Sequence, residues 1–212
     1  MSYQLYVDHD FYSPWAMAAF VTLMEKQLPF TLHPLDLAQG AQHLPAYQAL
    51  SPMQRVPLLV DGDFRLAEST AICEYLEDTH PDSQPVYPLQ PSLRAQARQV
   101  QAWLRSDLLA LRQQRSTVVV FSHPETTPLD PAGELAANKL RLTAETLLAH
   151  QEANLFGAWC IADADLALML MRLLKNGEPL SARLTDYALQ QWERPTLHAW
   201  RQLQKQTPRQ PE

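Results

Sequence analysis

The segment from Gln54 to Leu76 constrains the fold of this chain more than any other stretch. Short strand candidates at 58–60 and 64–66 flank an Asp-Gly-Asp triplet, and an Asp-Gly pair favours the positive backbone angles of tight hairpin turns. Pro57 stands just before the first candidate, where proline removes no essential ladder hydrogen bond. The segment therefore predicts an antiparallel hairpin followed directly by a helix.

Parts of this segment suit a ligand that has a peptide backbone, an amine and a carboxylate. A cis Val56–Pro57 bond would turn the N–H and C=O of Val56 outward, although a trans bond is far commoner before proline. Ser69 is expected to cap the following helix, whose free N–H groups favour a carboxylate. Glu68 could pair with an amine. The alternative, in which Ser69 only caps and Glu68 is solvated, stays open at this point.

Composition limits the class of protein. The chain has 212 residues and a formal net charge of −6, which argues against non-specific binding to nucleic acid or anionic membranes. No apolar run approaches the roughly 18 residues of a spanning helix, and no secretory signal is visible, so a cytoplasmic location is the default expectation. Neither the two cysteines nor the seven histidines show metal-ligand spacing, and no metal is expected.

The order of predicted elements divides the chain into two halves. The first, 1–80, reads β-α-β-α-β-β-α, and its first helix has Ser13 as cap and Pro14 at the first helical position. Closely spaced prolines mark a linker at 81–91. The second half, 92–212, is predicted to be all helical. Its expected helices cover 93–111, 135–148, the apolar and buried 163–174, 181–192 and 196–204, with a frayed tail at 207–212.

This pattern resembles the cytosolic glutathione transferases over essentially the whole chain. The supporting motifs are F-Y-S-P, Q-R-V-P-L-L, E-S-x-A-I-x-x-Y-L, Q-A-W-L-R-S-D-L and N-L-F-G-x-W-C-I-A-D. In detail they are similar to the bacterial YfcF-type enzymes of the serine type. The resemblance implies the glutathione transferase fold, an α/β thioredoxin-like N-terminal domain followed by an all-α helical domain. It also implies glutathione as substrate and a homodimer.

The resemblance also implies roles for individual residues. Ser13 would be the catalytic residue, whose hydroxyl donates a hydrogen bond to the glutathione sulfur and favours the thiolate. Tyr12 is a rival hydroxyl, whereas Tyr6 is expected to pack in a strand, and a plain capping role for Ser13 is the alternative. The residues implied to bind glutathione are Val56 and a cis Pro57 for the cysteinyl part, Glu68 and Ser69 for the γ-glutamyl end, and Gln42, His43 and Arg55 for the glycyl carboxylate.

A second-substrate pocket is expected between the loop Phe11–Trp15 and the helix Arg94–Arg115. The residues predicted to line it are Phe11, Tyr12, Trp15, Trp103, Arg105, Asp107 and Arg112. Arg98, Arg105 and Arg112 recur every seven residues and share a helix face, which also suits a solvated or dimer-facing surface. The sequence leaves both interpretations open.

The leading functional hypothesis is conjugation of glutathione to small electrophiles in detoxification, with possible reduction of organic hydroperoxides. Isomerisation of a maleylacetoacetate-like substrate is an alternative suggested by P-M-Q-R-V-P, but that class usually has a serine-serine-cysteine run where this chain has Phe11-Tyr12-Ser13. A non-catalytic regulator with the same fold is the third hypothesis, and the Val-Pro and Glu-Ser pairs disfavour it.

Overall fold

A computed structural model describes residues 2–150 and 152–206, which group by their contacts into two compact units. The first unit runs to Val86 and includes the last helix, which starts at Pro195. The second unit is Tyr87–Arg194. This grouping differs from the sequence boundaries in placing the last helix with the first unit. The boundaries themselves, 1–80, 81–91 and 92–212, stay a prediction.

The first unit contains a mixed four-stranded sheet in the order β2-β1-β3-β4. Strand β1 pairs in parallel with β2 and antiparallel with β3, and β3 pairs antiparallel with β4. Its elements are β1 Tyr3–Asp8, α1 Pro14–Glu25, β2 Phe30–Leu35, a 3₁₀ helix Ala41–His43, α2 Pro45–Leu50, β3 Leu58–Asp61, β4 Phe64–Ala67, α3 Ser69–Thr79 and α10 Pro195–Gln206. The predicted β-α-β-α-β-β-α order is confirmed.

The predicted hairpin forms between β3 and β4. Asp61 pairs with Phe64, so the connecting loop is only Gly62 and Asp63. Gly62 has φ +57°, a left-handed conformation that glycine adopts without a Cβ clash. Asp61 therefore belongs to the strand, where its carboxylate accepts a hydrogen bond from the Tyr75 hydroxyl at 2.8 Å.

Helix α1 is the central packing element of the first unit. Residues 16–23 are all buried, because small and apolar side chains occur on every side of this helix rather than on one stripe. The indole of Trp200 in α10 is fully buried, and its ring centroid lies 5.3 Å from that of Phe20. The core of this unit therefore extends from the sheet through α1 to α10.

The second unit is helical, as predicted. Its helices are α4 Pro91–Ser106, α5 Leu109–Gln114, α6 Thr117–Phe121, α7 Pro131–Leu147, α8 Ile161–Leu174 and α9 Ala182–Trp192. All residues of α8 except Asp165 and Leu174 are buried, which confirms the predicted central helix. None of the helices in the described part of the chain is long and apolar enough to cross a bilayer. The predicted tail, 207–212, lies outside the described residues.

The prediction of one continuous helix over 93–111, and on to Arg115 beside the expected pocket, is wrong. Helix α4 ends at Ser106, and α5 begins at Leu109. The apolar stripe continues across the break through Leu104, Leu108 and Leu111, all of which are buried. Because the spacing of apolar residues is uninterrupted, periodicity alone cannot reveal where the backbone leaves the helix.

Candidate functional site

Ser13 starts helix α1 in the predicted way. It is the N-cap, its Oγ accepts a hydrogen bond from the Ala16 N–H at 3.2 Å, and Pro14 occupies the first turn. Accepting this bond uses a lone pair of Oγ, so the hydroxyl proton is left to be donated elsewhere. The side chain is half-buried. A hydroxyl donor at the positive end of a helix is suited to an anion such as a thiolate.

The loop before Ser13 is held by Asp8, the last residue of β1. Its Oδ2 accepts hydrogen bonds from the backbone N–H of Tyr12 at 2.5 Å and of Ser13 at 3.0 Å. Asp8 is 7% exposed, and Oδ1 is buried without a hydrogen-bond partner among the described residues. Burial raises the pKa of the Asp8 carboxyl above its ordinary value, while the two amide hydrogen bonds act in the opposite direction.

Phe11 fixes the same loop from its other side. Its φ is +57°, an uncommon conformation for a residue with a side chain. Its carbonyl accepts a hydrogen bond from Trp200 Nε1 at 2.9 Å, and the two rings meet edge to face at 5.1 Å. Because the Phe11 side chain is only 6% exposed, it serves as an anchor in the interior of the unit, and a place in the lining of a pocket does not suit it.

The Val56–Pro57 bond is cis, as the sequence analysis implied. Val56 lies outside the strands, and among the described residues it takes part in none of the backbone hydrogen bonds formed by turns and loops. The Tyr47 hydroxyl donates to the carbonyl of Arg55 at 2.7 Å, and Tyr47 belongs to an apolar cluster against which Val56 packs. Tyr47 therefore anchors the backbone before β3 next to a peptide unit that can pair with a ligand.

Two of the residues predicted for the glycyl end lie together beside this backbone. His43 Nδ1 is 2.7 Å from Oε1 of Gln54, and His43 Nε2 is 3.1 Å from Nε2 of Gln42. Gln54 has φ +54°, another left-handed non-glycine residue. Arg55, the third predicted residue, is exposed and carries a positive charge that suits a carboxylate ligand.

The expectation that Ser69 caps α3 is wrong. Glu68 is the N-cap, with φ +71° and without a side-chain capping bond, and Ser69 is the first residue of the helix. A serine before an apolar helical pattern usually caps, but here the left-handed backbone of the preceding residue makes the turn into the helix. Ser69 is 2% exposed. The predicted Glu-Ser pair thus lies at the N-terminus of α3, but the residue at the capping position is Glu68 and not Ser69.

The remaining second-substrate candidates fall in both units. Tyr12 and Trp15 are half-buried in the first unit, and Trp103 is half-buried in α4. Asp107 is the C-cap of α4 and forms an ion pair with Lys139 at the surface. Arg112 in α5 donates to the carbonyl of Arg105 at 2.7 Å, and burial, followed by the charge of Arg105, lowers the pKa of Arg112. Their role in a pocket stays a prediction.

Two residues of the site were missed by sequence reasoning, namely Asp8 and Trp200. A signal for Asp8 was present, since an acidic residue at the end of a buried strand shortly before a capping serine can reach the amides of that loop. Trp200 offered no such signal, because its contact with Phe11 joins positions 189 residues apart. In the described part of the chain, no group of three or more His, Cys, Asp or Glu residues could hold a metal ion.

Comparison with known proteins identifies the family. The model of the glutathione S-transferase N-terminal domain matches residues 12–79, and that of the C-terminal domain matches residues 91–205. Mouse glutathione S-transferase theta-3 is 31% identical over 208 residues, which cover 95% of this chain and 81% of that protein. Bovine glutathione S-transferase theta-1 is 30% identical over 207 residues, covering 95% and 82%.

Solved structures agree with the sequence matches. A glutathione transferase homologue from Burkholderia, crystallised with bound glutathione, has a TM-score of 0.80 and 37% identity, covering 97% of this chain and 99% of that one. Poplar (Populus trichocarpa) glutathione transferase F2, at 22% identity and TM-score 0.75, covers 96% and 99% and shares the fold. The two domain matches and these relatives agree with the mixed sheet and the serine-capped first helix. The chain belongs to the glutathione S-transferase family.

Proposed function

We propose that this protein binds glutathione in its first unit and uses the Ser13 hydroxyl to stabilise the glutathione thiolate for attack on a small electrophile. The observation that supports this most strongly is the hydrogen bond that the Ser13 side chain accepts. Its oxygen is held by the Ala16 amide at the start of α1, so its proton can be directed at a ligand. Lowering a thiol pKa by one unit takes about 1.4 kcal/mol, which one hydrogen bond to an anion can supply.

The groups expected to bind the rest of glutathione are chemically matched to its parts. The peptide unit of Val56, which forms none of the turn and loop hydrogen bonds among the described residues, suits the cysteinyl backbone in antiparallel pairing. The N-terminus of α3 at Ser69 favours the γ-glutamyl carboxylate, and the Glu68 carboxylate suits the amine. Gln42, His43 and Arg55 supply donors for the glycyl carboxylate. These assignments give each charged end of the tripeptide an opposite charge or a donor.

The chemical step is a nucleophilic displacement or addition. The thiol proton passes to solvent, and the sulfur lone pair forms a carbon–sulfur bond while the leaving group departs with its bonding electrons. With an organic hydroperoxide, the thiolate would attack the peroxide oxygen and release an alcohol, leaving a sulfenic acid. A second glutathione would then form the disulfide and water. We propose this peroxidase reaction as a secondary activity in detoxification.

The finer assignments also belong to this proposal. We place the protein with the bacterial YfcF-type, serine-type enzymes, acting in the cytoplasm as a homodimer. The maleylacetoacetate-type isomerase is the enzymatic alternative, and the non-catalytic regulator is the alternative outside catalysis. Turnover of a maleylacetoacetate-like substrate exceeding that of electrophiles would favour the isomerase. Failure to bind millimolar glutathione in calorimetry would favour the regulator.

Substitution of Ser13→Ala tests the catalytic part. We expect kcat with a chlorodinitrobenzene-type electrophile to fall about tenfold or more, because the hydrogen bond to the thiolate is lost. The dissociation constant of glutathione, measured by calorimetry, should change much less, since the other contacts remain.

Ser181→Ala is the matched control. Ser181 also caps a helix, accepting from the Leu184 N–H at 3.2 Å, but in the second unit. Both variants lose a cap, for which we expect a cost of about 1 kcal/mol in unfolding free energy. Only Ser13→Ala should lose turnover. Equal turnover in the wild type and Ser13→Ala would remove Ser13 from the mechanism.

A further inference from the structure

The Asp8 carboxylate connects the end of β1 to the start of α1 through one oxygen. Oδ2 accepts from both Tyr12 and Ser13, and the second contact is to the backbone N–H of the residue that carries the candidate hydroxyl. The other oxygen is buried without a described partner. Burying a carboxylate that is only half satisfied is unfavourable, so its presence beside Ser13 calls for a reason other than stability.

The loop between Asp8 and Ser13 has little freedom once these bonds form. The Phe11 N–H donates to the Asp8 carbonyl at 3.2 Å, and the Phe11 carbonyl accepts from Trp200. Ser13 itself has φ −70° and ψ 114°, the extended geometry that lets Oγ reach the Ala16 amide. The direction of the Ser13 hydroxyl therefore depends on the backbone that Asp8 holds.

We propose that Asp8 is a positioning residue that acts through Ser13: its carboxylate oxygen fixes the loop so that the Ser13 hydroxyl is directed at the glutathione sulfur. This inference rests on the proposed function. The negative charge of Asp8 is not what helps, because a second anion near the sulfur would disfavour the thiolate. The useful property is an acceptor oxygen at the right place.

Variants of Asp8 separate oxygen position from charge. Asp8→Asn keeps an oxygen that can accept both amides, so kcat should stay within about threefold of the wild type. Asp8→Glu keeps the charge but displaces the oxygens by a methylene group, and Asp8→Ala removes the acceptor. For both we expect kcat to fall about tenfold, approaching Ser13→Ala, since they misdirect the same hydrogen bond. The KM for glutathione should change much less than kcat.

A double-mutant cycle tests whether Asp8 acts through Ser13. If it does, Asp8→Ala in a Ser13→Ala background should lower kcat by less than about twofold, because the positioned group is already gone. A tenfold loss in that background would show an independent effect and overturn the inference. Should Asp8→Ala not fold, the cycle with Asp8→Glu gives the same test. The inference would also be overturned if Asp8→Asn lost as much activity as Asp8→Ala while Asp8→Glu kept its activity.

A control variant at Asp130 and the single variant Ser13→Ala distinguish failure of the proposed function from failure of the positioning role of Asp8. Asp130 caps α7, accepting from the Gly133 N–H at 2.8 Å in the second unit, and Asp130→Asn should leave kcat unchanged. If Ser13→Ala alone has no effect, the proposed function fails. If Ser13→Ala lowers kcat but the two losses multiply, the proposed function stands and only the positioning role of Asp8 fails.

Discussion

Two buried aspartates, Asp8 in the first unit and Asp163 in the second, hold the starts of helices in opposite ways. Asp163 accepts hydrogen bonds from the Leu155 and Cys160 amides and from the Tyr187 hydroxyl at 2.8–2.9 Å, so both its oxygens are used. Asp8 accepts two amide bonds on one oxygen and leaves the other buried without a described partner. Burial raises the pKa of both carboxyls.

This difference in hydrogen bonding indicates that the two aspartate side chains have different roles. At α8, Cys160 is the N-cap and Asp163 completes a reciprocal capping box. Both oxygens of this carboxylate therefore have hydrogen-bond donors at the start of a buried helix. At α1, the carboxylate is incompletely satisfied and adjoins the proposed catalytic serine. A buried polar group that is left unsatisfied calls for an explanation, and a role in function is one such explanation. We therefore expect Asp163 to govern stability and Asp8 to govern turnover.

The largest expected effect is the loss of stability in Asp163→Ala. Removal of the carboxylate leaves three buried donors without their acceptor, and we expect unfolding free energy to drop by about 3 kcal/mol or more. Urea unfolding followed by fluorescence measures the change, and Asp163→Asn is the milder variant if Asp163→Ala does not fold. Turnover per folded molecule should be unchanged. A stable Asp163→Ala with reduced turnover would reverse the roles given to the two aspartates.

A smaller effect is expected for Trp200→Phe, which removes the second anchor of the Ser13 loop. The Phe11 carbonyl loses its donor while an aromatic ring stays in place, which should cost about 1–2 kcal/mol of unfolding free energy. Turnover should also fall, by less than in Asp8→Ala. Trp192→Phe, at a buried indole of α9, is the control: its stability should decrease but its turnover should not. Loss of turnover in both variants would point to a general effect of core packing.

The smallest effect is a difference in pH dependence between the wild type and Asp8→Asn. The pKa of Asp8 is raised in the folded state, so the folded protein holds this proton more tightly than the unfolded chain does. The corresponding stabilisation is fully present below the ordinary pKa of 3.8 and is lost as pH rises through the higher, folded pKa.

Asp8→Asn lacks this titration. Its unfolding free energy relative to the wild type should therefore increase from about pH 4 towards neutrality. Urea unfolding of both proteins across this range measures the trend. A difference that stays constant with pH would contradict the raised pKa, and a difference of opposite slope would mean that the folded state favours the ionised carboxylate.

Local patterns were enough to predict most of the fold. The hairpin, the Ser13 cap with its following proline and the buried helix α8 all leave signals within a few residues of one another. The break between α4 and α5 left none, because Leu104, Leu108 and Leu111 keep helical spacing across it. Apolar periodicity reports which side faces the core and is insensitive to a short interruption of the backbone hydrogen bonds.

Prediction of the candidate site succeeded where a residue type and its neighbours define the chemistry. The cap at Ser13 is an example. The cis bond before Pro57 was implied only by the family resemblance, because the local residues by themselves favour a trans bond. Prediction failed at Glu68, where a left-handed backbone replaced the expected serine cap, because φ of a non-glycine residue is decided by tertiary contacts. Trp200 was missed for a related reason, since sequence patterns do not report a contact between distant segments.

The central claim, that the Ser13 hydroxyl stabilises a glutathione thiolate, is tested most directly by the pKa of the bound thiol. Ultraviolet absorbance of the thiolate, followed across pH in the glutathione complex, gives this pKa for the wild type and for Ser13→Ala. We predict a wild-type pKa at least about one unit below that of free glutathione, and a value close to free glutathione in the variant. The same lowered pKa in both proteins, or no lowering in the wild type, would contradict the account.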